Sequence, residues 1–402
     1  VTEAVDRPAL RRLVGDTEEF ARDVWGRRPL LRPHAESGSD FSDVFGPDAV
    51  DELVSRRGLR APFLRLAKDG TPLSDDLVTT AGGIGASVRD QVDDDALHRE
   101  FAAGATIVAQ GLHRTWPPLL ELAQQLAVDL GHPVQVNAYI TPPQSQGFAD
   151  HYDVHDVFVL QTSGRKRWVL HQPVLPAPLR HHPWAARRSE VEEAARAEPV
   201  LDVTLEPGDV LYLPRGTIHA ASTFGEVSSH VTIGVHTWTP YAAAEVITDL
   251  ALARVAADPE VRRSLALGVD ITTDTSGFET ARDALVRAVQ QLDDAAISRA
   301  LAKRDESSRR LSPISPIAQV QAALDLAPGT TLRLRPHLQV RVEPVPADDE
   351  QLMLTSRLGM QRLPVAVRDA VDRALAGDAI RADELGVEVA RTLLRAGVLL
   401  PA

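Results

Sequence analysis

Two imidazoles and a carboxylate stand in this chain where one metal ion could collect all three. His151 and Asp153 are two apart in His151-Tyr-Asp153, and in an extended strand such positions share a face, about 7 Å apart along the chain. A histidine from another strand, His219, would complete a set of two histidines and one carboxylate. That set leaves coordination positions open on an Fe(II) ion. His-x-Asp alone says little in a chain with 13 histidines, so the surroundings of His219 carry more weight. There Gly208-Asp-Val-Leu-Tyr-Leu-Pro214-Arg-Gly216-Thr-Ile-His219 runs an apolar strand into a Pro/Gly turn, which sets the direction from which the imidazole projects. The expected metal ligands, and with them the catalytic residues, are His151, Asp153 and His219.

A second feature is a cation. Lys68, Lys166 and Lys303 are the three lysines among 43 basic residues. Lys166, Trp168 and Leu170 alternate onto one strand face, so Lys166 is expected to point inward, where a buried ammonium needs an anionic partner. A dicarboxylate cosubstrate provides one. Asn137 and Tyr139, again two apart, can offer an amide and a phenol hydroxyl to the same molecule. His155 and Asp156 read as supports of the ligands or of a turn, and His230 and His236 as core histidines. The histidines and arginines of the insertion near 174–200 read as a solvated charged segment.

The elements that must position these groups follow from periodicity. Residues 1–133 are mostly helical in pattern, with a segment over 16–25 and an amphipathic helix over 115–130 that Gly131 stops. Short β-branched runs bounded by Gly and Pro then predict strands at 134–140, 156–161, 165–170, 210–213 and 230–236, together a small sandwich or barrel. After Pro240 the helical period returns at 242–257, 278–292 and 295–304. Residues 311–402 read as strands at 331–342 and 351–363 with helices at 366–376 and 382–396, a shape compatible with a winged helix. That segment holds ten Arg against eleven Asp and Glu, with no basic stripe, so a protein-docking or structural role is expected there and no specific nucleic acid.

Composition narrows the rest. The 402 residues are 44% hydrophobic and 25% charged, ordinary for globular domains, and the formal net charge is −13. Such a surface repels phosphate on average and attracts basic protein segments. Cysteine is absent, which excludes disulfides and thiolate metal sites. No run approaches a membrane span, and Val1–Asp6 shows no secretory pattern, so a cytoplasmic protein without a membrane partner is expected. Gly-rich phosphate loops and a Gly-x-Ser-x-Gly elbow are missing from the sequence.

Five segments together resemble a known family: 137–143 (Asn-Ala-Tyr-Ile-Thr-Pro-Pro), 151–161, Gly164-Arg-Lys166-Arg-Trp168, Gly208–His219 and Ser229-His-Val-Thr-Ile-Gly234. They are similar to the JmjC Fe(II)/2-oxoglutarate oxygenases of the cupin superfamily, and within them to the ribosomal oxygenases, which hydroxylate ribosomal proteins. Gly208–His219 resembles the second cupin box. The first box, His-x-His followed by Glu, is not matched, since Val157 and Phe158 occupy the Glu positions. Gly234 stands where some members carry a small hydroxyl residue. The resemblance implies an α+β protein with a double-stranded β-helix (jelly-roll) cupin core over 1–240, a helical dimerisation region over 241–310 and a winged-helix domain over 311–402. It implies Fe(II) on His151, Asp153 and His219. It also implies 2-oxoglutarate held through Lys166, Asn137 and Tyr139, and use of O2 with release of succinate and CO2. The implied product is an amino-acid side chain, Arg or His, hydroxylated in a protein or peptide substrate such as a ribosomal protein, by a homodimeric enzyme. Two other readings are a cupin metalloenzyme that does not use 2-oxoglutarate and a non-catalytic protein-binding scaffold.

Overall fold

Along Val134–Thr141 the residues Val136, Ala138 and Ile140 are buried while Gln135, Asn137 and Tyr139 lie on the opposite, half-buried face. That period-two pattern makes the strand a wall between an apolar core and a cavity. The computed structural model describes residues 6–402 except 69, 146, 147 and 347, and of residue 276 the backbone alone. Most of Val1–Asp6, where no secretory pattern is read, lies outside the described residues. The chain divides into two compact units, one ending at Trp238 and the other spanning Thr239–Ala402.

The strands of the first unit are β1 (Leu30–Arg32), β2 (Leu64–Lys68), β3 (Thr71–Pro72), β4 (Thr79–Thr80), β5 (Gln91–Val92), β6 (Thr106–Ala109) and β7 (Val134–Thr141). They continue with β8 (Asp156–Ser163), β9 (Lys166–His171), β10 (Leu201–Leu205), β11 (Val210–Leu213), β12 (Ile218–Thr223) and β13 (Ser228–Val235). A large antiparallel sheet has the order β1-β11-β8-β13-β7-β6-β2-β3, and a small one the order β10-β9-β12. β11 pairs with β8 and β12 with β9, so the chain alternates between the two sheets from β10 to β13, as in a double-stranded β-helix. β8 is central, and its continuous apolar run has a reason. Phe158 and Leu160 enter the main core, while Val157 and Val159 meet Trp168, Leu170 and Leu205 of the small sheet. Each such large side chain contributes on the order of 1.5–3 kcal/mol through burial.

The helix Pro117–Leu130, with Pro in its first turn and Gly131 in the left-handed region at its end, covers the outer face of the large sheet with Leu119, Leu122 and Leu126. The expected segment over 16–25 begins as a helix at Thr17–Glu19, capped by Asp16, and widens into a π-turn over Phe20–Val24. The short strands β2, β6 and β12 are not apparent from periodicity. β6 is buried on both faces and so does not alternate, and β12 runs on from the turn at Gly216.

In the second unit three helices, Pro240–Ala257, Ser276–Gln290 and Asp294–Ser308, precede an α+β segment. The expected strand over 331–342 is two strands, Thr331–Leu334 and Arg341–Val345, because Pro336 and the left-handed His337 (φ 63°) turn the chain between them. The run over 351–363 is a hairpin, Asp348–Ser356 with Gly359–Pro364, in register through Ser356 and Gly359. The helix over 382–396 is broken at Gly386 into Ala382–Leu385 and Val387–Arg395. Gln319 ties this segment together, donating from its buried amide to the carbonyls of Leu394 and Leu399 at 2.8 and 2.6 Å. Among the described residues no helix is long and apolar enough to cross a membrane.

Candidate metal centre and its cavity

The segment carrying His151 and Asp153 precedes β8 and forms an isolated antiparallel bridge with β12. His151 donates its backbone N–H to the His219 carbonyl (3.2 Å) and His219 returns one to His151 (2.8 Å). The three side chains therefore converge. One ligand atom from each of His151, Asp153 and His219 lies within 4.8 Å of the others, and His219 Nε2 is 3.8 Å from Asp153 Oδ2. Each histidine presents Nδ1 to a backbone carbonyl, His151 to Ala149 (2.8 Å) and His219 to Thr217 (3.0 Å). A carbonyl only accepts, so the proton sits on Nδ1 and the Nε2 lone pair is left for a cation. Burial pushes His219 down to about 4, which keeps it neutral at neutral pH. Burial pushes the Asp153 carboxyl up, but the imidazoles of His155, His151 and His219 outweigh it and hold it below the usual carboxylate range. Two imidazoles and one carboxylate on one side of a point are a donor set that fits a divalent transition-metal ion and leaves positions open.

The turn before β12 is built by the motif's glycines. Gly216 has φ +90°, and a Cβ there would lie 2.6 Å from the Leu175 carbonyl oxygen; its N–H donates to the Asp153 carbonyl at 3.0 Å. Gly208 has φ +95°, and a Cβ would fall 2.2 Å from His34 Nδ1. Asp156, fully buried, accepts from the Tyr212 hydroxyl (2.6 Å) and from the Arg215 N–H (3.1 Å), so it braces the turn. His155 faces Gln135 at 3.3 Å and His236 edge-on at 5.2 Å.

The ligand atoms open on a cavity of about 290 Å³ between β7, β8 and β13 on one side and β9 and β12 on the other. Lys166 lies in its lining, only 3% exposed, and burial pushes its ammonium down to about 7. Its Nζ donates to Thr141 Oγ1 at 2.8 Å, and among the described residues it forms no ion pair. Thr106 in turn bonds to Thr141 at 3.1 Å. Asn137 and Tyr139 both reach the cavity, but the Asn137 amide oxygen accepts the Gly111 N–H at 3.1 Å, which leaves its NH2 to offer. Burial, and then the Asp153 carboxylate, push the Tyr139 phenol up to about 12, so it remains a donor.

Three residues that sequence reasoning left out of the site, Thr106, His230 and Trp184, line the same space, and a fourth, Thr141, meets Lys166 at its edge. Thr141 continues the Asn137, Tyr139 alternation by two, a signal that was available. Thr106 comes from the unforeseen β6. His230, expected in the core, stacks flat on Tyr139 (5.1 Å, 6°) and meets Trp168 edge-on (5.3 Å, 81°). Trp184 belongs to the insertion, which is docked rather than freely solvated. Its helix Arg188–Ala194 buries Val191 against Tyr152 and Ile218, and the Tyr152 hydroxyl donates to the His182 carbonyl at 2.9 Å.

Comparison with known proteins agrees with this geometry. Residues 118–243 match the JmjC domain family. Ribosomal oxygenase 2 of Rattus norvegicus is 36% identical over 282 residues, 65% of this chain and 56% of that protein. The bifunctional lysine-specific demethylase and histidyl-hydroxylase NO66 of Aedes aegypti is 31% identical over 224 residues, 54% of this chain and 33% of that protein. The chain thus spans a third to about half of the length of these relatives. The crystal structure of the Escherichia coli ribosomal oxygenase YcfD superposes with a TM-score of 0.55 at 17% identity, covering 97% of this chain and 99% of that one. YcfD in complex with cobalt and 2-oxoglutarate gives a TM-score of 0.55 at 18% identity, covering 96% and 98%. At those identities the likeness concerns the fold. The chain therefore carries a JmjC domain, built as a double-stranded β-helix of the cupin kind.

Proposed function

We propose that the protein is an Fe(II)- and 2-oxoglutarate-dependent oxygenase that hydroxylates an Arg or His side chain of a protein, a ribosomal protein in the first instance, releasing succinate and CO2. The observation that carries this reading is the pairing within one cavity of a His151, Asp153, His219 cluster with a buried ammonium, Lys166, that has no ion-pair partner among the described residues. A diacid that chelates through one end and carries a carboxylate at the other complements both features. Relatives named as an oxygenase and a hydroxylase, and the YcfD complex with 2-oxoglutarate, support the same assignment.

In this reading His151, Asp153 and His219 hold the iron, which when bound supplies the redox chemistry by which O2 is used. The carbonyls of Ala149 and Thr217 keep both imidazoles in the ligating tautomer. Lys166 with Thr141 secures the far carboxylate of 2-oxoglutarate, and the Asn137 NH2 and Tyr139 hydroxyl complete its cradle. Trp184 and Phe148, which line the cavity with ring centroids 6.2 and 5.8 Å from that of His151, border the approach of the target side chain and help exclude water from it. The net charge of −13 supports a basic partner. We also assign homodimerisation to the helices over 241–310, protein docking to a winged helix over 311–402, the catalytic domain to 1–240 and a cytoplasmic location.

The test is direct. Fe(II)-loaded protein is incubated with 2-oxoglutarate and total ribosomal protein, and succinate and intact protein masses are followed. Stoichiometric succinate with a gain of one oxygen atom on a ribosomal protein is expected. Metal binding without 2-oxoglutarate turnover would instead mean a different metalloenzyme, and absence of both a scaffold.

A further inference from the structure

β13 presents its residues alternately to two environments. Val231, Ile233 and Val235 enter the apolar core, whereas His230, Thr232 and Gly234 line the cavity. His230 is therefore not a core histidine, although it is only 3% exposed. Its ring plane is held between the face of Tyr139 and the edge of Trp168. In that sandwich the ring presents Nδ1 3.4 Å from Lys166 Nζ, at the long end of hydrogen-bond distance.

Donor counting gives this contact a consequence. An ammonium has three N–H donors and accepts nothing. One goes to Thr141 and a second to His230 Nδ1, which leaves one for a ligand in the cavity. Since Nδ1 must accept from the ammonium, the proton of the neutral imidazole sits on Nε2, and His230 carries a donor of its own. A protonated imidazole at this place would face the ammonium, and both burial and Lys166 hold His230 well below the usual imidazole range.

We propose that His230 is a binding and positioning residue for the far carboxylate of the diacid, its Nδ1 aiming the Lys166 ammonium and its Nε2–H providing a second donor beside it. This rests on the 2-oxoglutarate reading above and adds to it the group that orients the cation. The arrangement matches a carboxylate, whose two oxygens take one N–H from Lys166 and one from His230.

The experiment is calorimetric titration of the Co(II)-loaded full-length protein with 2-oxoglutarate and, separately, with 2-oxobutyrate, which keeps the keto-acid end and lacks the far carboxylate. His230→Phe keeps an aromatic plane between Tyr139 and Trp168 and removes both nitrogens. It is expected to weaken 2-oxoglutarate about tenfold or more, the size of a lost hydrogen bond to a charged group, and to leave 2-oxobutyrate and Co(II) affinity unchanged. His230→Gln, whose amide both accepts and donates, recovers part of the loss. Unchanged 2-oxoglutarate affinity in His230→Phe, or equal losses for the two acids, overturns the assignment of His230. A wild-type protein that binds Co(II) and neither acid overturns the cosubstrate reading itself, and the His230 assignment with it.

Discussion

Asp153 is the one carboxylate in the converged trio, and its charge is what sets a metal site apart from a pair of neighbouring histidines. Asp153→Ala is expected to weaken Co(II) binding by more than about 100-fold, since even groups that only orient a ligand are worth 10–100-fold; isothermal titration of the purified variant reads this. Lys166 makes a pH-dependent prediction. Burial lowers its pKa from the ordinary 10.5 to about 7, so the charged form is lost from the free site as pH rises through 7. A diacid binds the charged form and takes up the proton. The apparent Kd for 2-oxoglutarate should therefore rise roughly tenfold per pH unit above 7, until the pKa of the complex is reached. In Lys166→Ala the affinity should be low and flat over that range, whereas an equal slope in the variant would assign the titration to another group.

The turn from β11 to β12 shows how an element places a ligand. Pro214-Arg-Gly216 reverses direction three residues before His219, and Asp156 and the Asp153 carbonyl hold it from outside through the N–H groups of Arg215 and Gly216. Gly216→Ala combines an unfavourable φ with a contact to the Leu175 carbonyl. It is expected to cost about 1–3 kcal/mol of stability and to weaken Co(II) binding as well, because the turn and His219 move together. Thermal unfolding with and without Co(II) separates the two effects; a variant as stable as wild type would show that the turn has room to relax. The insertion acts on the same ligands from the other side, its Val191 packing against Tyr152, between two ligands, and Ile218, just before the third.

At the scale of the whole chain, charge decides more than any single contact. A net charge of −13 draws a basic protein segment toward the molecule over distances that salt shortens, the screening length being about 10 Å at 0.1 M. The KM for a basic ribosomal protein substrate should rise between 50 and 200 mM salt, while turnover of 2-oxoglutarate without substrate stays level. Both rates falling together would place the salt effect in the cavity. The second unit carries its own core, from Leu311 and Ala323 to Leu399, separate from the cores of the first.

How much of this was legible in the sequence depends on distance along the chain. Lys166 points inward because β9 alternates with a period of two, which is local; the strand expected at His151 and Asp153 is a single bridge from His151 to β12, so the two keep the spacing of an extended segment while a distant strand holds them in place. The Gly/Pro spacing before His219 is equally local, since positive φ and a fixed turn are properties of a few residues. The sequence alone thus determined the candidate ligands, the cation, the alternation of core and cavity faces, and the exclusion of thiolate chemistry. Tertiary structure decided the rest. Thr141 and His230 meet Lys166, and Thr106 meets Thr141, from three other strands, and pairing register between distant segments is not written in any one of them. The same holds for Asn137, whose amide oxygen is taken by Gly111. It holds again for the insertion, which composition renders as a charged loop and one buried valine turns into a wall of the cavity.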